Sequence, residues 1–157
     1  MINASLTTNA YEVIQEFKDF TLKEMNKATK TALRKGAQVL ANATKRKLRS
    51  SLRAATHRST KYNDRLIDAI RYSVDRKGDE AKVHIMGTNK KGSGTFRLRF
   101  FEKGTKVRKH KKNGKNIGRI SALNFFSSAR SSSQGKVNEA VTKQLIATIK
   151  KINEKRQ

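Results

Sequence analysis

From Thr8 to Leu52 the chain contains no proline and a single glycine, Gly36, and its apolar residues recur at helical spacing. Val13, Phe17 and Phe20 fall on one stripe, followed by Met25, Ala28 and Ala32. Leu33, Ala37, Leu40, Ala41, Leu48 and Leu52 then continue it at intervals of three and four residues. The pattern predicts one long helix, or two that meet near Gly36. No proline occurs anywhere else in the chain, so later helices can also run without interruption.

The second half of this segment exposes Lys45, Arg46, Lys47, Arg49 and Arg53, a basic end that suits the negative pole of a helix C-terminus. Two roles stay open for that run: a solvated helix face, or a face that contacts phosphate or another subunit. The surplus is general, with 37 Lys and Arg against 12 Asp and Glu and a formal charge of +25. It is also concentrated, because residues 28–62 carry +10 and residues 102–120 carry +7. Leu, Ile, Val and Phe supply only 34 of 157 residues, just above the roughly 20% at which highly charged chains stay disordered. A core this thin works against its own charge repulsion, which implies an anionic partner or a second subunit.

Beyond the long helix, a polar loop at about 54–63 leads to a short helical turn around Leu66, Ile67 and Ile70. Ile70, Tyr72 and Val74 then alternate with Arg71, Ser73 and Asp75, and residues 82–86 alternate again after Lys77-Gly78-Asp79, which predicts a β-hairpin. After a Gly- and Lys-rich link at 87–94, Phe96, Leu98 and Phe100 alternate with Arg97, Arg99 and Phe101. This predicts a strand that sends at least two of Phe96, Phe100 and Phe101 into the core. A long basic loop follows at about 103–118, then an apolar anchor, Ala122 to Phe126, and a Ser-rich joint, Ser127 to Gly135. Val137, Val141, Leu145, Thr148, Ile149 and Ile152 give a final helix one apolar face. The expected fold is α+β: one domain over residues 1–157, with a small antiparallel β-sheet packed against a long N-terminal helix and a C-terminal helix.

Chemistry is mostly refused by the residues. There is no Cys, and His57, His84 and His110 lack the spacing of metal ligands. Asp75, Asp79 and Glu80, the one close acidic group, sit at a hairpin turn where carboxylates support the turn itself. Gly87 to Ser93 has a phosphate-loop gap but Ser93 where lysine should stand. No catalytic, cofactor or metal site is predicted, and no apolar run of about 18 residues predicts a membrane span. Binding is better supported: Lys106, Arg108, Lys109, Lys111, Lys112 and Lys115 lie on a loop long enough to follow a phosphate backbone. No aromatic residue is interleaved with them, which favours duplex or protein contact over single strands.

The order of elements also resembles a known family. Leu66-Ile67-Asp68-Ala69-Ile70 leads into a hairpin ending Val83-His84-Ile85-Met86-Gly87. Phe100-Phe101-Glu102-Lys103-Gly104-Thr105 follows, then Leu123-Asn124-Phe125-Phe126-Ser127-Ser128-Ala129 and a last helix. This arrangement resembles the tailed-phage neck or tail-completion family, the family of minor tail components of lambdoid siphophages such as minor tail protein Z of phage lambda. The likeness runs from about residue 28 to 152 and is sharpest at the aromatic-x-Glu-x-Gly-Thr element. Where the family shows Pro-Phe at the anchor, this chain has Asn124-Phe125.

The resemblance implies a non-enzymatic virion protein, made in the host bacterial cytoplasm and assembled as a homo-oligomeric ring, hexamer or dodecamer, at the neck. Its neighbours would be a connector or head-closure protein and a tail-tube or tail-terminator protein, with non-specific contact to viral double-stranded DNA. Phe100, Phe101, Glu102, Gly104, Thr105, Phe125 and Phe126 are then structural. Gly104 is free to take a positive φ and turn the chain out of its strand, and the Thr105 hydroxyl can support that turn. A stand-alone basic nucleic-acid-binding protein is the alternative. An enzyme acting on nucleic acid would need an acidic cluster, for which 12 carboxylates in the whole chain offer little material.

Overall fold

In a computed structural model, residues 21–54, 65–85 and 95–155 are described. The expected stripe at 8–20, the loop at 55–63 and the link at 87–94 lie outside them. Helix α1 (Leu22–Ala54) runs unbroken through Gly36. It starts at a capping box that the apolar spacing alone does not reveal. The Thr21 N–H and hydroxyl donate to Glu24 Oε2 at 3.0 and 2.9 Å, and the Glu24 N–H returns to Thr21 Oγ1 at 3.4 Å.

Strand β1 (Arg71–Val74) pairs antiparallel with β2 (Ala81–His84), with Tyr72 opposite Val83 and Val74 opposite Ala81. This is the expected hairpin. Its turn docks on α1 because Gly78, at φ 87°, brings its Cα so close that an added Cβ would lie 3.0 Å from the Asn26 carbonyl oxygen. Asp75 organises the same turn, its Oδ1 accepting the backbone N–H groups of Gly78, Asp79 and Glu80 at 2.8, 2.9 and 3.2 Å.

A 3₁₀ turn (Thr95–Arg97) runs into the short helix α2 (Leu98–Lys103). This corrects the expected strand. Six residues of alternation fit either period, and here Leu98 and Glu102, one helical turn apart, are the buried pair, with Phe101 packed beside them. Of the three phenylalanines only Phe101 reaches the core cluster; Phe96 is 49% exposed and Phe100 is half-buried.

The basic loop is also more ordered than its composition suggests. Arg108–Lys109 (β3) pairs antiparallel with Asn116–Gly118 (β4), forming a second two-stranded sheet separate from the first. The last helix, α3 (Phe125–Asn153), begins ten or so residues earlier than expected, so Ser127 to Gly135 are helical rather than a joint. Phe125, Ala129 and Ser133 form its buried stripe at intervals of four, and the Ser133 hydroxyl is satisfied by the Ala129 carbonyl at 2.7 Å. Serine composition mimics a loop, but small side chains are what close helix packing needs.

Helices α1 and α3 pack antiparallel. Gly36, near the middle of α1, faces Val137 and Val141, near the middle of α3, while Leu48 and Leu52 toward the C-terminal end of α1 share a cluster with Phe125 at the N-terminal end of α3. Gly36 therefore marks a close approach, not a break: a Cβ there would run into Val141 Cγ2. The cluster is completed by Ala41, Leu66, Ile67, Ala69, Ile70 and Leu98. The α+β class expected from the sequence is what the chain adopts, with long helices at both ends of the described chain and small antiparallel sheets between them.

The N–H groups that converge on Asp75, that of Glu80 foremost, outweigh its partial desolvation and hold its carboxyl below the ordinary 3.8. A depressed native value contributes stability that is fully present above the unfolded value and lost as pH falls through the native one. We expect the amide shift of Gly78, which donates to Asp75 and has no side chain of its own to titrate, to stay constant from neutral pH to about 4 and to move below it. In Asp75→Asn that transition should vanish from the NMR titration.

Candidate anion-binding interface

The cationic arm grows from a fixed root. Helix α2 ends at Gly104, whose φ of 72° turns the chain away and whose N–H bonds the Phe100 carbonyl at 2.7 Å. A side chain there would be strained: besides the positive φ, a Cβ at Gly104 would lie 3.0 Å from both the Ala122 nitrogen and the Ile120 oxygen. Thr105 then closes the two legs of the arm, its N–H donating to the Ile120 carbonyl and its hydroxyl accepting the Ile120 N–H, each at 2.9 Å. The positive φ and the supporting hydroxyl are as the sequence predicts; the element they terminate is a helix.

Glu102 is buried in this root and caps α3 from outside the helix. Its carboxylate accepts the Phe126 N–H at 2.8 Å, the Ser127 N–H at 3.0 Å and the Ser127 hydroxyl at 2.7 Å. The residue at the usual capping position, Asn124, makes no side-chain cap and has φ 46°. That left-handed conformation is open to asparagine and closed to proline, whose ring fixes φ near −65°. The carboxylate also meets the positive pole of α3. Two backbone bonds complete the joint, from Leu123 N–H to the Phe101 carbonyl at 2.7 Å and from Asn124 N–H to the Glu102 carbonyl at 3.2 Å. Phe100 to Thr105 and Leu123 to Ser128 are thus one structural unit, with Phe125 fully buried and Phe126 packed against the core.

Beyond the root the arm is held by its own backbone. His110 N–H donates to the Lys115 carbonyl at 2.7 Å and Gly114 N–H to the His110 carbonyl at 2.9 Å, which closes the tip. Lys106, Arg108, Lys109, Lys111, Lys112 and Lys115 are all exposed along it. Lys103 and Arg119, outside the predicted set, join Lys106 on an open groove of about 480 Å³ at the root, whose other walls are Gly104, Thr105, Ile120, Ser121 and Ala122. None of these three cations has an ion-pair partner among the described residues; the exposed pair Lys82–Glu80, at 2.8 Å, lies on the other hairpin.

The basic end of α1 is less coherent. Arg46, Arg49 and Arg53 recur at three and four residues and share an exposed face, Lys47 points away from it by the same geometry, and Lys45 is half-buried. Among the described residues no hydrogen bond or ion pair links this face to the arm, so the two basic surfaces predicted from sequence remain two. No group of three or more His, Asp or Glu side chains suited to a metal ion occurs among them either, and no described helix is long and apolar enough to cross a membrane.

The chain matches no protein-family model, no curated protein and no solved structure.

Replacing Glu102 by Ala leaves two amides and a hydroxyl at the start of α3 without an acceptor, and should cost about 1–3 kcal/mol. The expected result is a lower melting temperature, with exchange of the Phe126 and Ser127 amides accelerated more than that of amides near Val141. Equal acceleration along α3 would show that the carboxylate does not cap it.

Proposed function

We propose that this chain is a non-enzymatic structural subunit of a tailed-phage neck, joining head to tail or completing the tail. In this reading copies of the chain form a ring between a connector or head-closure protein and a tail-tube or tail-terminator protein. The arm from Lys106 to Lys115 faces viral double-stranded DNA or an acidic neighbour. The observation that carries the proposal is the arm itself, a hydrogen-bonded ribbon of uncompensated cations rooted on the buried Glu102 joint. Such a feature adds nothing to the core and a great deal to an interface with a polyanion. The two stretches that carry the family likeness meet at that same joint, which gives their co-occurrence in sequence a physical reason.

A ring subunit requires heterologous contacts that close. Sedimentation velocity on the purified chain should give a species in the hexamer to dodecamer range, and antibody labelling of virions should mark the neck. A monomer at every concentration, absent from particles, would overturn the proposal.

The arm also supports a second reading, a stand-alone basic nucleic-acid-binding protein whose monomer binds DNA. If either reading has DNA as its partner, affinity falls steeply with salt, by close to one log unit per log of salt for each phosphate neutralised. Replacing Lys109, Lys111 and Lys112 by Gln should then reduce that slope by about three. A flat salt response in both proteins would point to an acidic protein as the partner.

A further inference from the structure

At least two of Phe96, Phe100 and Phe101 are expected in the core; only Phe101 reaches it, and the exposed Phe96 beside the half-buried Phe100 gives the basic surface an aromatic component. Their rings meet edge to face, with centroids 6.3 Å apart and planes at 88°. The Arg97 guanidinium lies 5.9 Å from the Phe96 ring centre and the Arg99 guanidinium 5.5 Å from that of Phe100. Phe96 is 49% exposed, far more than an aromatic ring needs to be in a chain with so thin a core. Arg99, Phe100 and Lys103 share a face of α2 away from the buried Leu98 and Glu102, and Phe96, in the 3₁₀ turn before the helix, joins that face through its ring contact with Phe100. Lys103 at the end of that face also lines the root groove, together with Lys106 and Arg119.

We propose that this surface binds single-stranded nucleic acid, with a base stacked on Phe96 and phosphates further along the same strand seated in the groove of Lys103, Lys106 and Arg119. From Phe96 to Lys103 the axial distance is about 10 Å, or about three nucleotide steps at the rise of one strand in B-DNA. Aromatic faces beside a cationic track are the combination that selects single strands: every base offers a π-face, and a duplex hides it. The groove without the rings would attract any phosphate backbone, and the rings without the groove would be an apolar blemish. The proposal goes beyond the neck reading and does not rest on it. Ring assembly is tested by sedimentation and stacking by titration, so either can fail alone.

The experiment uses the full chain and a labelled oligothymidine of about 15 nucleotides, with a duplex of equal length as the comparison. Phe96→Ala should bind the single strand about tenfold more weakly and the duplex as wild type does. Lys106→Gln combined with Arg119→Gln should weaken both ligands and lower the salt slope by about two. The chain has no tryptophan, so Phe96→Trp adds a lone reporter; it should retain affinity, and its fluorescence should be quenched by the oligothymidine and not by inorganic polyphosphate. Unchanged single-strand affinity in Phe96→Ala, an equal loss for duplex, or no quenching in Phe96→Trp would each overturn the proposal.

Discussion

The carboxylate of Glu102 is the hinge of the molecule in the carpenter's sense. It belongs to α2, its acceptors close the first turn of α3, and the chain that leaves its helix becomes the arm. A buried charge is costly unless its hydrogen bonds are met, and here three donors from one helix terminus meet them. In a chain with 37 cationic side chains and 12 carboxylates, the acid is kept out of reach of the surface lysines and committed to the backbone. The arm's direction relative to the helix pair follows from that commitment, because the two residues after Glu102 are Lys103, which ends α2, and Gly104, which turns the chain outward.

The helix pair supplies the rest of the scaffold, unevenly. At the end near Phe125, large side chains from α1, the 65–70 segment and α2 converge: Leu48, Leu52, Leu66, Ile70 and Leu98 are all fully buried. Toward the other end the buried positions of α1 are Ala28, Ala32 and Ala37, small residues that allow close approach but remove little apolar surface from water. On the α1 side stability should therefore be graded, greatest where the arm is rooted, while on α3 the fully buried Ile149 anchors the far end. A rigid root under a charged projection is a sensible place for it.

Much of this was legible in the chain. The short alternations on either side of Lys77-Gly78-Asp79 are settled by the turn chemistry between them, while the period of α1 and the apolar face from Val137 to Ile152 each specify a helix, because the pattern runs long enough to separate a repeat of two from one of 3.6. Phe96 to Phe101 is too short for that, and its alternation of ring and arginine is as well served by a helix that buries Leu98 and Glu102. The serines after Phe126 misled by composition, since what makes them helical is the cap provided by Glu102, twenty-four residues upstream of Phe126. The exposed cations of the arm could be read from charge alone. Lys103 and Arg119 gain their meaning only when Thr105 and Ile120 bring the two legs together, and the Phe96–Phe100 pair only when the strand proves to be a helix.

The closure between Thr105 and Ile120 has an evolutionary side. Because the two legs are already joined there by a reciprocal pair of hydrogen bonds, everything distal to that pair is an insertion between fixed points. Lengthening or shortening such a segment changes its closure entropy by only about 0.6 kcal/mol per doubling. Its reach and charge can consequently change without disturbing a buried residue, so among the described residues the arm is a segment that substitution and insertion can reshape while the scaffold stays as it is.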